Sequence, residues 1–172
     1  MLETSLKIKV FGDIVLRKIA KPVGRITDQH RQILSQMAKT MYADSGIGLA
    51  APQVGFSLQL IVVDIGEGLY KLVNPKIVKK QGHQSIREGC LSVPGVCIKV
   101  KRAKEVWVQA QDVDGRLMEI QAKDLFACVI QHEIDHLKGK LIIDHASFLE
   151  KLRIKRKLAA LKTKDKVCKL QL

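Results

Sequence analysis

The run His132-Glu133-Ile134-Asp135-His136 carries two imidazoles four residues apart with a carboxylate between them. On a helix that spacing sets both rings on one face, one turn apart, where they can hold a single ion. Glu133 then points to a neighbouring face, near enough to take a proton from a metal-activated water without being a ligand itself. Two buried histidines satisfied by hydrogen bonds are the plain alternative. Two at ligand spacing on an otherwise apolar helix, however, would bury several polar groups to no purpose. The chemistry expected of this run is hydrolysis at one metal ion.

A catalytic ion usually takes three protein ligands and a water, so one ligand must come from elsewhere. Cys128 lies one turn before His132 on the same stripe. It also precedes His136 by about 12 Å of helix axis at about 1.5 Å per residue, which bonds of about 2.0–2.3 Å cannot bridge. A metzincin pattern would require a third histidine where Ile142 stands. Glu150 is another option, but three residues after Ser147 it has a sufficient role in a helix capping box. Cys90, Cys97, Cys168, His30, His83 and His145 remain, and spacing does not choose among them.

The elements that must position this chemistry follow from periodicity. Residues 124–138 are apolar on nearly every face until His132, which predicts a deeply buried helix stopped by Gly139. Residues 28–44 place Ile33, Leu34, Met37, Ala38 and Met41 at helical spacing behind a Thr27 cap. The β-branched run 58–64 reads as a buried strand, whereas 70–73 and 76–80 are weaker strands broken by Asn74-Pro75. Residues 105–111 and 117–122 flank Asp114-Gly115 as an antiparallel hairpin. A last helix opens at Ser147, with Phe148, Leu152, Leu158 and Leu161 able to pack inward. The expected class is α+β: short, mostly antiparallel β-sheets around a central buried metal-binding helix, with a basic C-terminal helix. A chain of 172 residues suits one domain. Residues 1–150 would be its catalytic part and 151–172 a basic helix and tail of the same domain.

Composition narrows the classes further. Hydrophobic residues at 47% argue against disorder, and aromatics at 4% leave few faces for stacking bases. No stretch reaches the roughly 20 apolar residues of a membrane span, and no secretory signal opens the chain. Four cysteines without a CxxC pair suit a reducing, cytoplasmic setting. Lys and Arg number 30 against 17 Asp and Glu, a net +13. From residue 151 on, Lys151, Arg153, Lys155, Arg156, Lys157, Lys162, Lys164, Lys166 and Lys169 face one acid, Asp165. That tail reads either as a solvated helix face or as a contact for polyanionic RNA, without sequence specificity. The glycine-rich run 46–55 is no dinucleotide fingerprint, because a helix precedes it and a strand follows, the reverse of what that motif needs.

Three motifs stand in order across roughly residues 10–152: Gly46-Ile47-Gly48-Leu49-Ala50-Ala51-Pro52-Gln53, Glu88-Gly89-Cys90-Leu91-Ser92 and Gln131-His132-Glu133-Ile134-Asp135-His136. Together they resemble the signatures of peptide deformylases. The resemblance implies Cys90 as third ligand beside His132 and His136, with water at the fourth position. It implies hydrolysis of the formyl group from N-formylmethionine on nascent chains, Glu133 moving the proton as general base and then acid. Gln53 and the backbone N–H of Leu91 would stabilise the oxyanion. One divalent metal ion is implied, Fe2+ physiologically, with Zn2+, Ni2+ or Co2+ accepted; the soft thiolate fits that choice. Ile47, Gly48, Leu125, Cys128 and Val129 would meet the substrate, although Leu125 and Val129 suit the core of any buried helix. Gly46, Glu88, Arg102 and Asp135 would support the site. Cys97 stands where relatives carry arginine. The C-terminal helix is similar in position and charge to one that docks such enzymes on the ribosome. Another zinc hydrolase, or an RNA-binding protein with a structural metal, are the competing classes.

Overall fold

The computed structural model describes residues 6–168, with side chains described as far as Leu161. The side chains of Lys162, Lys164, Asp165, Lys166 and Cys168, and all of Lys169, lie outside the described residues. The elements are α1 (Asp28–Ala43), β1 (Gly48–Ala50), β2 (Leu60–Val63), β3 (Tyr70–Gln81), β4 (Gln84–Glu88), β5 (Ile98–Arg102), β6 (Glu105–Gln111), β7 (Leu117–Lys123), α2 (Asp124–Leu137) and α3 (Phe148–Cys168). Five strands form an antiparallel sheet in the order β1-β2-β3-β6-β7, and β4 with β5 forms a separate antiparallel ribbon. The class is α+β.

Side-chain alternation explains where the two inner helices sit. Along β2, Leu60 and Val62 join the buried cluster of α1 (Leu34, Met37, Met41), while Ile61 and Val63 join that of α2 (Ala127, Ile130, Ile134). A strand covered on both faces must be apolar at every position, as Leu60-Ile61-Val62-Val63 is. The same logic makes α2 apolar nearly all round: ten of its residues are buried, Gln131, Glu133 and His136 among them. A third cluster holds the ribbon, where Ile98 and Val100 of β5 pack with Val93, Val96, Leu141 and Ile142.

Two sequence expectations need correction. Asn74-Pro75 does not break the strand; β3 runs through it with a register irregularity between Val73 and Lys76. Asn74 takes the left-handed conformation at φ 52°, which asparagine tolerates. Its amide donates to Val23 O at 2.8 Å and accepts from Val23 N–H at 2.8 Å. Pro75, with no N–H to offer, falls where the ladder is already interrupted. On α3, Leu158 and Leu161 pack inward as expected, joined by Ile154, but Phe148 and Leu152 are exposed. The capping box itself forms: Ser147 N–H donates to Glu150 Oε2 at 2.9 Å and Glu150 N–H to Ser147 Oγ at 3.3 Å. Among the described residues no helix is long and apolar enough to cross a membrane.

Candidate metal centre

Helix α2 delivers three functional side chains and the turn after β4 delivers a fourth. His132 and His136, one turn apart, stand with Nε2 atoms 3.2 Å apart, and Cys90 Sγ lies 3.3 Å from His136 Nε2. Metal bonds of about 2.0–2.3 Å in tetrahedral geometry space neighbouring donors by about 3.3–3.6 Å. Both distances lie close to that spacing, all three donor atoms fall within 4.8 Å of one another, and among the described residues no other group of His, Cys, Asp or Glu gathers so. The donor set, one sulfur and two imidazoles, fits a borderline divalent ion. The other open candidates sit elsewhere. His30 Nδ1 accepts from Thr27 N–H at the start of α1, His145 reaches Asp135, and Glu150 caps α3. Cys97 is exposed on the ribbon, and Cys128 is buried without joining the group.

A chain of charges fixes the first histidine. Glu88 Oε2 is 2.9 Å from His132 Nδ1, which leaves Nε2 for the ion. Arg102 grips Glu88 with two bonds, 2.7 Å from Nε and 2.9 Å from Nη2, and reaches Asp135 Oδ2 from Nη1 at 2.5 Å. His145 Nε2 meets the same Asp135 oxygen at 2.9 Å. Burial would raise the Glu88 carboxyl, but Arg102 and His132 outweigh it and hold that group at about 2. Glu88 and Arg102 end β4 and β5, so this buried pair ties the ribbon to α2.

Glu133 is in the opposite condition. Burial, the largest influence, pushes its carboxyl up to about 7, and its Oε2 is buried with no hydrogen-bond partner among the described residues. Such an oxygen is costly to desolvate and marks a group kept ready for another proton or donor. His136 Nδ1 is likewise buried and unpartnered, and burial drives its ring well below the usual imidazole range.

Gln53 enters from a 3-10 turn, Ala51–Val54, that Pro52 helps to start. Its Oε1 accepts from Ala50 N–H at 2.8 Å, so its NH2 end faces Ser92 Oγ at 3.3 Å and Cys90 Sγ at 3.6 Å. The amide is thereby a fixed donor beside the cluster. Gly48 is where close approach forbids a side chain: a Cβ there would stand 2.8 Å from Val129 Cγ1 and 3.0 Å from Glu133 Cδ, and would strike Glu133 Oε1. At Gly46 a Cβ would meet Leu91 Cδ1 at 3.0 Å.

These residues face a cavity of about 620 Å³. Gln53, Cys90, His132 and Glu133 form its polar end; Ile47, Leu125, Cys128 and Val129 give it apolar walls. Leu125, which helix burial alone would place in the core, is 44% exposed and lines this cavity. Sequence reasoning missed Ile86 on the wall and Ser92 beside Gln53. The one signal for Ile86 was a lone apolar residue in the polar run 84–88.

The profile of a family described as Polypeptide deformylase matches residues 5–152. A peptide deformylase of Buchnera aphidicola is 47% identical over 164 residues, covering 94% of this chain and 95% of its own. One from Thermoanaerobacter pseudethanolicus is 51% identical over 139 residues, 81% of this chain and 87% of its own. The crystal structure of a peptide deformylase from Legionella pneumophila superposes with a TM-score of 0.88 at 43% identity, covering 94% of this chain and 98% of that one.

Proposed function

The chain belongs to the polypeptide deformylase family of hydrolases, and from that premise we propose that it removes the N-formyl group from N-formylmethionine of newly made polypeptides. Cys90, His132 and His136 would hold one divalent ion. That ion would supply a Lewis acid able to make water nucleophilic at neutral pH. Fe2+ is the proposed physiological metal, with Zn2+, Ni2+ or Co2+ functional in its place.

The protein's own part starts with Glu133. Its buried carboxyl, raised to about 7, is poised to take a proton from the attacking water and return it to the departing amine nitrogen. As the C–N bond breaks, formate leaves and the methionine amine is freed. The NH2 end of Gln53 and the backbone N–H of Leu91 donate to the formyl oxygen as it gains charge. Gly48 and Gly46 leave a bare backbone edge for an extended peptide, and the walls of Ile47, Leu125, Cys128 and Val129 accept the methionine side chain. Glu88, Arg102 and Asp135 keep His132 oriented. Residues 1–150 form the catalytic part and 151–172 the basic end of one domain, whose charge suits contact with ribosomal RNA in the cytoplasm.

The observation that carries this reading is the buried Glu133 carboxyl, its Oε2 without a partner, beside a Cys-His-His cluster gathered within 4.8 Å. Formate release from formyl-Met-Ala-Ser by anaerobically metal-loaded protein tests it. Turnover should vanish in Glu133→Ala with metal retained, and metal itself should be lost in Cys90→Ala. A metal-replete protein that releases no formate would refute it.

A further inference from the structure

The outward face of the β4–β5 ribbon is not used by the chemistry above. Strand pairing sets Arg87 directly opposite Lys99 and Ser85 opposite Lys101. All four are exposed, whereas their neighbours Glu88, Ile98, Val100 and Arg102 are buried. Like charges directly opposed across two strands destabilise the pairing. Here that cost falls at the cavity mouth, because Arg87 lines the cavity together with Pro94 and Gly95. One further cation approaches this rim. Lys157 of α3 donates to the Gly95 carbonyl at 3.1 Å. Glu150, which approaches Lys99 and Arg87, is held by Ser147, whose Oγ donates to its Oε2 at 2.8 Å. The facing wall carries one exposed acid, Asp44.

We propose that Arg87, where the ribbon meets the cavity mouth, selects formyl-methionyl peptides bearing a carboxylate side chain one or two residues after the methionine. This rests on the deformylase reading, which places the methionine in the apolar end of the same cavity and leads the chain outward past the rim. Apart from Glu88 and the metal-centre residues, the charged side chains lining the cavity are Arg87 and Asp44; Ile86, Gly89, Pro94 and Gly95 beside Arg87 carry no charge. An acidic side chain gains the Arg87 cation there, and a lysine is repelled by it.

The test uses the full, metal-loaded chain and C-terminally amidated peptides, so that no terminal carboxylate interferes: formyl-Met-Asp-Ala, formyl-Met-Ala-Asp, their lysine counterparts and a serine peptide. Attraction of aspartate and repulsion of lysine by one exposed cation, each about a 1.4- to 5-fold effect, together favour aspartate over lysine in kcat/KM by about two- to thirty-fold at low salt in at least one position. At about 0.5 M salt, screening over a few ångströms brings that ratio close to one. Arg87→Gln should lower the ratio, Arg87→Glu should invert it, and Asp44→Asn should raise it. A ratio near one at low salt with the serine peptide well hydrolysed overturns the proposal. So does a ratio that Arg87→Glu leaves unchanged. Failure to hydrolyse the serine peptide would instead sink the deformylase reading.

Discussion

A single methyl group at residue 48 would separate metal binding from proton transfer. In Gly48→Ala the new carbon would stand 2.8 Å from Val129 Cγ1 and 3.0 Å from Glu133 Cδ, where carbon contacts need about 3.5–4.0 Å. The backbone of β1 cannot retreat, because Gly48, Leu49 and Ala50 pair with Val63, Val62 and Ile61 of β2, and Ile47 O accepts from Asp64 N–H at 3.0 Å. Glu133 and Val129 must therefore give way by roughly 1 Å. Overpacking of this kind costs about 1–3 kcal/mol, which in a chain of this size lowers Tm by roughly 3–10 °C. A general base displaced by about 1 Å loses about a hundredfold in rate. Neither Cys90 nor a histidine lies among the atoms struck, so bound metal should stay stoichiometric while kcat falls. Steady-state formate release, elemental analysis and calorimetry on one preparation would measure all three. Gly46→Ala is the comparison: its closest contact is the flexible Leu91 Cδ1, and the effect should be smaller. Wild-type kcat and Tm in fully metallated Gly48→Ala would refute the packing argument.

Three other substitutions probe separate parts of the reasoning. Glu133→Gln should abolish turnover yet stabilise the metal-free protein. A carboxyl titrating near 7 instead of 4.5 costs the fold about 3 kcal/mol above pH 7, so the gain in urea unfolding should be full at pH 8, shrink as pH falls and vanish below about 4.5. Arg102→Leu strips Glu88 and Asp135 of their shared guanidinium, leaving only His132 and His145 beside them; a loss of about 3–5 kcal/mol should appear as a Tm drop of roughly 10 °C. Gly139→Ala combines φ +69° with a Cβ 2.6 Å from Arg17 O. It should lose about 2 kcal/mol or more in urea unfolding with metal stoichiometry intact.

Local patterns carried the helix α2 and its two histidines, because both the ligand spacing and the apolar periodicity live within about four consecutive turns. The strand 58–64, the hairpin at Asp114-Gly115 and the caps at Thr27 and Ser147 were legible for the same reason. The sulfur beside those histidines was not: Cys90 is brought in by a fold that pairs β4 with β5 and docks both on α2, and spacing along the chain holds no record of that. Only the resemblance among three motifs singled it out. The ribbon itself escaped because one strand has a lone apolar residue, Ile86, and both carry charges that read as loop. Asn74-Pro75 misled because a strand can absorb a proline at a bulge. Phe148 and Leu152 misled because hydrophobic spacing shows that a helix has an apolar side, not that a surface waits to cover it.

The two-residue alternation of the β4–β5 ribbon has a consequence for how its length can change. Because Glu88 and Arg102 face inward and Arg87 and Lys99 outward, a one-residue slip exchanges the two sets. Deleting a single residue within 84–87 would turn a guanidinium toward Ile98 and Val100 and swing the Glu88 carboxylate into water, away from His132. Point substitutions on the outer face should be absorbed freely. A frame of one is forbidden, so length variation in this ribbon should survive only in steps of two or in the turn at 89–97.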